Sequence, residues 1–317
     1  MKVSLITPAG KRSLNGNRAT AVRWERILQS LGYRVEVGVK WDGWPADMMV
    51  ALHAWRSADS IAAFHQQYPD RLLIVALTGT DIYRFIHSDP EITLRSIDIA
   101  HHLVALHDLA YLTIPQRYRG KLSVIKQSAI PLPRRLQPRK KTFDICIAGH
   151  LRDEKDPLRA ALAARDLPAS SRIRILHYGK AHNHEWATMA MREMRENPRY
   201  HWYGELPHWK VRQAYARSRA MVLSSRMEGG ANVVSEAVMA DLPVLASDIP
   251  GSIGLLGDHY AGYYPVEDTA ALRELMRKAE SDDGFLPLLL RQAYPLKQEF
   301  TEAAEHDGWR ALLDKLV

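Results

Sequence analysis

The sequence predicts an α/β protein made of two domains, each a parallel sheet covered by helices, facing each other across a cleft. Three observations carry this. Short apolar runs alternate with helix-period segments along most of the chain. The alternation is broken by a proline- and arginine-rich stretch and then restarts. A length of 317 residues also suits two domains better than one. The boundaries follow: 1–132 as the first domain, 133–141 as a linker, and 142–317 as the second, with its last helix free to pack back on the first.

Each element has a local reason. Residues 3–7 (VSLIT) are a short apolar run stopped by Pro8, Ala9 and Gly10, a buried strand. Residues 17–31 place Ala21, Trp24, Ile27, Leu28 and Leu31 on one helical face, and Gly32 stops them. Residues 33–39 alternate Val35, Val37 and Val39 and read as a strand, followed by a strand at 47–53, a helix at 57–68 and the apolar strand 71–77 (RLLIVAL). A helix at 89–100 and strands at 101–106 and 123–126 complete the first half. After the linker come strands at 142–148, 172–178, 200–203, 220–224 and 243–247. The intervening helices are 156–165, 184–196, 209–217 and 233–240, with late helices at 269–279 and 307–316. Pro157 is expected at the first position of the helix behind an Asp156 N-cap. In open α/β sheets ligands sit beyond the carboxyl ends of the strands, so candidate residues are sought there.

Composition narrows the function. Lys and Arg total 43 and Asp and Glu 36, a net charge of +7. The densest basic run, PRRLQPRKK at 133–141, lacks interleaved aromatics and reads as a solvated hinge, so no nucleic-acid partner is expected. A single cysteine, Cys146, excludes an intramolecular disulfide framework and is expected as a buried small hydrophobe. The 14 histidines form no metal-spaced set, so no metal is expected. No apolar run approaches a membrane span, and residues 1–9 are too short for a signal peptide, so the expected location is the cytoplasm.

Two constellations carry chemistry. In SSRMEGGANVVSE (224–236), seven residues separate Glu228 from Glu236. Gly229 and Gly230 admit a close backbone approach, and the helix start near Asn232 presents free N–H groups suited to a phosphate. Glu236, one turn on, suits a ribose diol. The second is GHLRDEKDP (149–157), where Arg152 and Lys155 follow a strand and flank a position for a diphosphate.

These segments, with NPRYHWYGEL and PVLAS between and after them, resemble the GT-B glycosyltransferases, specifically the GT4-like class with its paired glutamates. The resemblance implies a UDP-sugar donor held by the C-terminal domain as a substrate, with no cofactor. The donor residues it implies are Gly149, Arg152, Lys155, Gly204, Glu205, Leu206, Glu228, Gly229, Gly230, Ala231, Asn232, Val233 and Glu236. Arg152 and Lys155 would hold the diphosphate, Glu236 the ribose, and Gly204–Leu206 the base. Further blocks, NGNRATAVRW (15–24), HAWRSADSI (53–61) and ALTGTDIYR (76–84), extend the likeness over nearly the whole chain. They resemble the selenosugar synthases of selenoneine biosynthesis, which implies selenophosphate as the acceptor and a C–Se bond as the product.

Polar and cationic groups at the strand ends of the first domain suit such an acceptor: Asn17, Arg18, Thr20, His53, Arg56, Ser57, Thr78, Thr80, Asp81, Gln127 and Ser128. The expected catalytic set is Arg152, Lys155, Glu228 and His53. Whether His53 or Asp81 handles the phosphoryl group is left open. The alternative is a GT4-like transferase with a lipid or polysaccharide acceptor, favoured only by Arg18, Arg23 and Arg26 on one helix.

Overall fold

The computed structural model describes residues 1–317. In chain order the elements are β1 (Lys2–Ile6), α1 (Gly16–Ser30), β2 (Arg34–Gly38), β3 (Met48–Leu52), α2 (Ala58–Gln67) and β4 (Leu72–Ala76). A π-helical turn (Asp81–Phe85) leads into α3 (Ile86–Ser88), α4 (Pro90–Ile99), β5 (His102–Ala105) and β6 (Leu122–Val124). Then come β7 (Phe143–Ala148), α5 (Arg159–Arg165), β8 (Ile173–Tyr178), α6 (His184–Glu196), β9 (Tyr200–Trp202), α7 (His208–Arg217) and β10 (Ala220–Leu223). The chain closes with α8 (Asn232–Met239), β11 (Val244–Ser247), α9 (Pro250–Leu256), β12 (Tyr263–Tyr264), α10 (Thr269–Ser281), α11 (Phe285–Ala293) and α12 (Glu302–Leu316).

The strands form two parallel six-stranded sheets, β2-β1-β3-β4-β5-β6 and β12-β11-β10-β7-β8-β9. Two Rossmann-like parallel-sheet domains are therefore present, as the alternating pattern predicts.

Packing divides the chain into two units. The first comprises Met1–Ser128, Glu228–Ala231 and Thr301–Val317; the second comprises Ala129–Met227 and Asn232–Phe300. Residues 133–141, expected as a linker, fall within the second unit. Leu136 N–H donates to Ala216 O (2.9 Å), and the Arg135 guanidinium donates to Tyr215 O and Ser218 O, which ties this stretch to the end of α7. The short segment Glu228–Ala231, expected with the second domain, belongs to the first unit.

In the first unit, side chains alternate across the sheet. Val50, Leu52, Ile74 and Val104 face one apolar layer with Trp24 of α1 and Trp309 of α12. Met49, Ala51, Leu73, Val75 and Leu103 face the other, with Phe64 of α2 and Ile97 of α4. Asn15 caps α1 by accepting from Arg18 N–H (3.0 Å), so the helix opens one residue before the predicted start. Trp24 and Trp309 meet edge to face at 4.8 Å. The Trp24 indole N–H donates to Glu305 Oε1 (2.7 Å), and Arg23 Nε pairs with Glu305 Oε2 (2.7 Å).

In the second unit, the helix predicted from residue 156 starts at Arg159. Asp156 takes a left-handed conformation (φ 42°), and its carboxylate accepts from Arg159 Nε (2.6 Å), so Asp156 and Pro157 belong to the turn before the helix. The terminal helix begins at Glu302 rather than 307, because Thr301 Oγ1 accepts from Ala304 N–H (3.1 Å) as its N-cap. Cys146 is buried in β7, and burial pushes its thiol up to about 12.

Candidate active site

The second unit gathers the cations of the GHLRDEKDP segment at the carboxyl end of β7. The turn behind it is held from several sides. Ser224 Oγ donates to Lys155 O (3.1 Å) and Asp156 O (2.9 Å). The Arg226 backbone donates to Glu154 O (2.9 Å), its guanidinium grips Asp153 (2.6 Å), and its Nε donates to Glu267 (2.6 Å). Ser247 Oγ fixes Ser225 O (2.6 Å). With the backbone pinned in this way, Arg152 is left as the available cation. Its side chain is 39 % exposed, its Nε makes no hydrogen bond, and its nearest carboxylate oxygen, on Glu154, is 3.9 Å away.

Lys155, Gly149, His150, Ser224 and Ser225 line one small cavity with the buried His177. His150 Nδ1 accepts from Lys180 N–H (3.0 Å), which fixes the proton on Nε2 as a further donor. Its segment is conspicuous in the sequence, but its role depends on a tautomer that only the fold sets. Burial pushes His177 down to about 4. The neutral ring donates Nε2–H to Gly149 O (3.0 Å) and accepts from Tyr200 OH (2.9 Å) at Nδ1. Gly179 passes so close that a Cβ there would lie 1.8 Å from Gly149 O, so only glycine fits.

Glu236 stands in α8 with both carboxylate oxygens engaged. Tyr215, fully buried, donates to Oε2 (3.0 Å), and His208 Nε2 donates to Oε1 (3.0 Å). The bond to Glu236 raises the His208 pKa, while burial and the same carboxylate raise that of Tyr215. Neither partner was singled out from sequence. Gly204 adopts φ 68° in the turn after β9, and its carbonyl accepts from Gly179 N–H (2.8 Å), with Glu205 exposed beside it. Asn232 and Val233 open α8.

The first unit builds a different surface at the ends of β3, β4 and β5. The Asp81 carboxylate, fully buried, accepts from four backbone N–H groups: Ala54 (3.1 Å), Thr78 (3.0 Å), Gly79 (2.7 Å) and Ile82 (3.1 Å). Its acceptor capacity is used in shaping the Thr78–Ile82 loop. His53 is likewise bound internally. It sits at φ 76°, accepts from Arg56 N–H at Nδ1 (3.1 Å), and so donates Nε2–H to Thr80 Oγ1 (2.8 Å). That arrangement orients Thr80 and leaves the Thr80 hydroxyl proton free to donate.

Several other expected acceptor residues make internal hydrogen bonds. Ser57 Oγ donates to Leu52 O (2.7 Å), and Thr20 Oγ1 donates to Gly16 O (2.8 Å). Ser128 donates to Glu305 from both its backbone (2.9 Å) and its hydroxyl (2.5 Å). The Gln127 amide donates to Gly230 O (2.9 Å) and accepts from Arg23 Nη2 (3.2 Å). Arg18, partly exposed, and Arg56, exposed, keep their guanidinium groups free of hydrogen bonds, and Asn17 stands beside Arg18 in the first turn of α1. The Thr78 hydroxyl is buried with no partner.

Glu228–Ala231 lies on this unit. Gly229 packs so tightly that a Cβ would come within 2.2 Å of Gly79 N, and one on Gly230 within 2.3 Å of Leu106 Cβ. Glu228 is buried and contributes to raising the pKa of Tyr83. Tyr83 OH lies 3.0 Å from His107 Nε2, and burial pushes His107 down to about 4. The pairing has no local sequence signal: Tyr83 lies in the ALTGTDIYR block, but His107 is 24 residues further on and belongs to none. Replacing Gly229 with alanine is expected to destabilise the protein by about 1–3 kcal/mol, as the backbone of Gly79 must move; chemical denaturation measures it.

Both low-pKa histidines set a pH dependence. Each is neutral in the fold but binds a proton near pH 6.5 when unfolded. Their stabilising contribution is complete above pH 6.5 and is lost as pH falls toward 4. The melting temperature is expected to fall by several degrees from pH 7 to pH 5, and the drop should shrink in His107→Phe.

Against known proteins, residues 131–306 match the family model "Glycosyl transferases group 1". The chain belongs to that glycosyltransferase family. Solved structures agree on a GT-B fold. The Anabaena protein Alr3699/HepE, determined in complex with UDP-glucose, aligns with a TM-score of 0.76 at 13 % identity, covering 100 % of this chain and 99 % of that one. Sucrose-phosphate synthase from Thermosynechococcus elongatus aligns at 0.76 and 15 % identity over 99 % and 98 % of the two chains. The lipopolysaccharide outer core galactosyltransferase WaaB aligns at 0.69 and 14 % identity over 100 % of both. No curated protein sequence matches. No helix is long and apolar enough to cross a membrane.

Proposed function

We propose that this glycosyltransferase is a selenosugar synthase, acting in the cytoplasm on a UDP-sugar, of the UDP-GlcNAc or UDP-glucose type, and selenophosphate. The observation that carries the donor half is the available Arg152 guanidinium beside Lys155 and the His150 N–H at the end of β7. Such a cluster stabilises the negative charge that develops on a departing diphosphate. The UDP-glucose bound to the Anabaena relative supports the same donor class. Glu236, its carboxylate held by Tyr215 and His208, suits the ribose diol. The UDP-sugar is consumed as a substrate, and the reading needs no cofactor.

The acceptor half rests on the six sequence blocks shared with selenosugar synthases and on Arg18, Arg56 and the donating Thr80 hydroxyl. These groups suit a small polyanion. Selenium attacks C1 of the sugar, the C1–O bond to UDP breaks, and the bonding pair leaves with the diphosphate. Water then cleaves the P–Se bond, giving the 1-seleno-sugar and phosphate. Selenophosphate is already anionic, so the first step needs no general base, in keeping with the internal hydrogen bonds of His53 and Asp81.

The test is incubation with selenophosphate and a panel of UDP-sugars, read by mass spectrometry for the selenium isotope pattern. A seleno-sugar and an equivalent of UDP are expected. UDP-sugar binding without any selenium product would overturn the acceptor and leave the transferase class in place. Transfer to a lipid or polysaccharide would establish the alternative instead.

A further inference from the structure

We propose that the second unit carries a binding site for a small amphiphilic monoanion at the amino ends of its strands, opposite the end that carries Arg152. A cavity of about 490 Å³ opens there. Its lining includes Phe143 at the start of β7, Arg219 just before β10 and Pro243 just before β11. In a parallel sheet these positions all lie at one end, whereas Gly149 and Ser224 lie at the other. The volume falls in the range of small-molecule sites, about 300–1,000 Å³.

Two polar groups in this cavity lack hydrogen-bond partners. Arg219 Nε is buried with no hydrogen bond, and no other atom of its guanidinium makes one. The Thr142 hydroxyl is also buried and unpaired. An unsatisfied buried donor is costly, and one anionic group accepting from both would remove the cost. The other arginines are committed. Arg135 donates to Tyr215 O and Ser218 O, and Arg172 pairs with Glu280.

The remaining surface sets the rest of the ligand. Phe143, Pro243, Leu286 and Leu290 give apolar walls. Of the carboxylates present, Asp241 is held by Lys297 (2.5 Å), Glu280 by Ser171 (2.7 Å), and Asp282 accepts from Gly284 N–H (2.9 Å). Together with Asp283 they make the rim too acidic for a polyanion such as a nucleoside diphosphate. One negative charge on an apolar body matches both the walls and the single guanidinium without a hydrogen bond, that of Arg219, which stands 5.9 Å over the Phe143 ring. The site is therefore separate in chemistry from the sugar-nucleotide site.

The dye anilinonaphthalene sulfonate has this chemistry and reports burial by fluorescence. Titrated into the full-length protein, it is expected to show one saturable site that saturating UDP does not displace. Arg219→Met should weaken it about tenfold. Leu290→Trp, which fills the cavity while keeping every charge, should abolish it. Melting curves check that each variant folds, and the fluorescence of Leu290→Trp decides if Arg219→Met does not. The absence of saturable binding in the wild type would overturn the proposal, as would unchanged affinity in the folded variants.

Discussion

Replacing Arg152 with alanine is expected to lower kcat/KM for UDP-sugar turnover by roughly 100-fold or more, the scale of losing one preorganised charge stabiliser. The magnitude follows from how the residue is presented. Its backbone belongs to a turn pinned by Ser224 and Arg226, so the side chain does not have to pay for ordering its own loop. Its nearest carboxylate partner is 3.9 Å away, so little is lost when a diphosphate takes the guanidinium. Lysine at this position keeps the charge but not the two-pronged geometry, and should recover only part of the rate. The measurement is steady-state kinetics of UDP release with donor and acceptor varied separately. Wild-type turnover in Arg152→Ala would remove the residue from the proposed diphosphate site. Unchanged melting temperature in the variant is also expected, because Arg152 holds no other element in place.

Replacing Glu305 with alanine is expected to cost about 3–5 kcal/mol of stability, the range for stranding one partner of a buried ion pair. Glu305 is 1 % exposed and serves three groups at once. Oε1 accepts from the Trp24 indole, while Oε2 takes Arg23 and both donors of Ser128. Alanine leaves a guanidinium, an indole N–H and a serine hydroxyl without their acceptor inside an apolar layer. Glutamine keeps one acceptor oxygen, for Trp24 or for Ser128 but not for both, and loses the charge opposite Arg23, so its loss should be only partly smaller than that of alanine. Equilibrium denaturation of the three proteins gives the comparison. An alanine variant as stable as the wild type would show that water replaces the carboxylate.

The central strands are legible because they are buried on both faces and read as apolar runs between Gly, Pro and polar stops, while the part-exposed β2 shows in its alternating valines. Helices α3, α9 and α11 lie outside every segment the periodicity marks as helical, and the last two show what that rule misses. Helix α9 is written Pro-Gly-Ser-Ile-Gly-Leu-Leu, the composition of a turn, and is helical because Ser252, Gly254, Leu255 and Leu256 are buried by tertiary packing. Helix α11 carries a proline in its first turn within a leucine run.

The candidate site divides the same way. Gly149, Arg152, Lys155 and Glu236 stand out in the sequence because they follow strand ends or helix starts at motif spacing. Asp81, Ser57, Gln127 and Ser128 stand out for the same positional reason, and their polar atoms, like the carboxylate of Glu236, bond to the protein itself. A sequence shows that a polar residue stands at a strand end, but not which backbone amide it faces. Glu305 and Trp24 are 281 positions apart, and Tyr215 meets Glu236 across 21. Pairs of this kind have no local spacing to betray them.

The division of the chain bears on how this protein can exchange parts with its relatives. The first unit is assembled from three separate stretches, 1–128, 228–231 and 301–317. A hybrid joined at a single crossover would combine a resident sheet with a foreign four-residue glycine segment and a foreign final helix. Trp309 and Glu305 would then be lost from beside Trp24, and Gly229 from beside Gly79. A transplant that respects these boundaries needs the tail and the Glu228–Ala231 segment to travel with residues 1–128. Acceptor preference, if it resides in that unit, is heritable only as this three-part set.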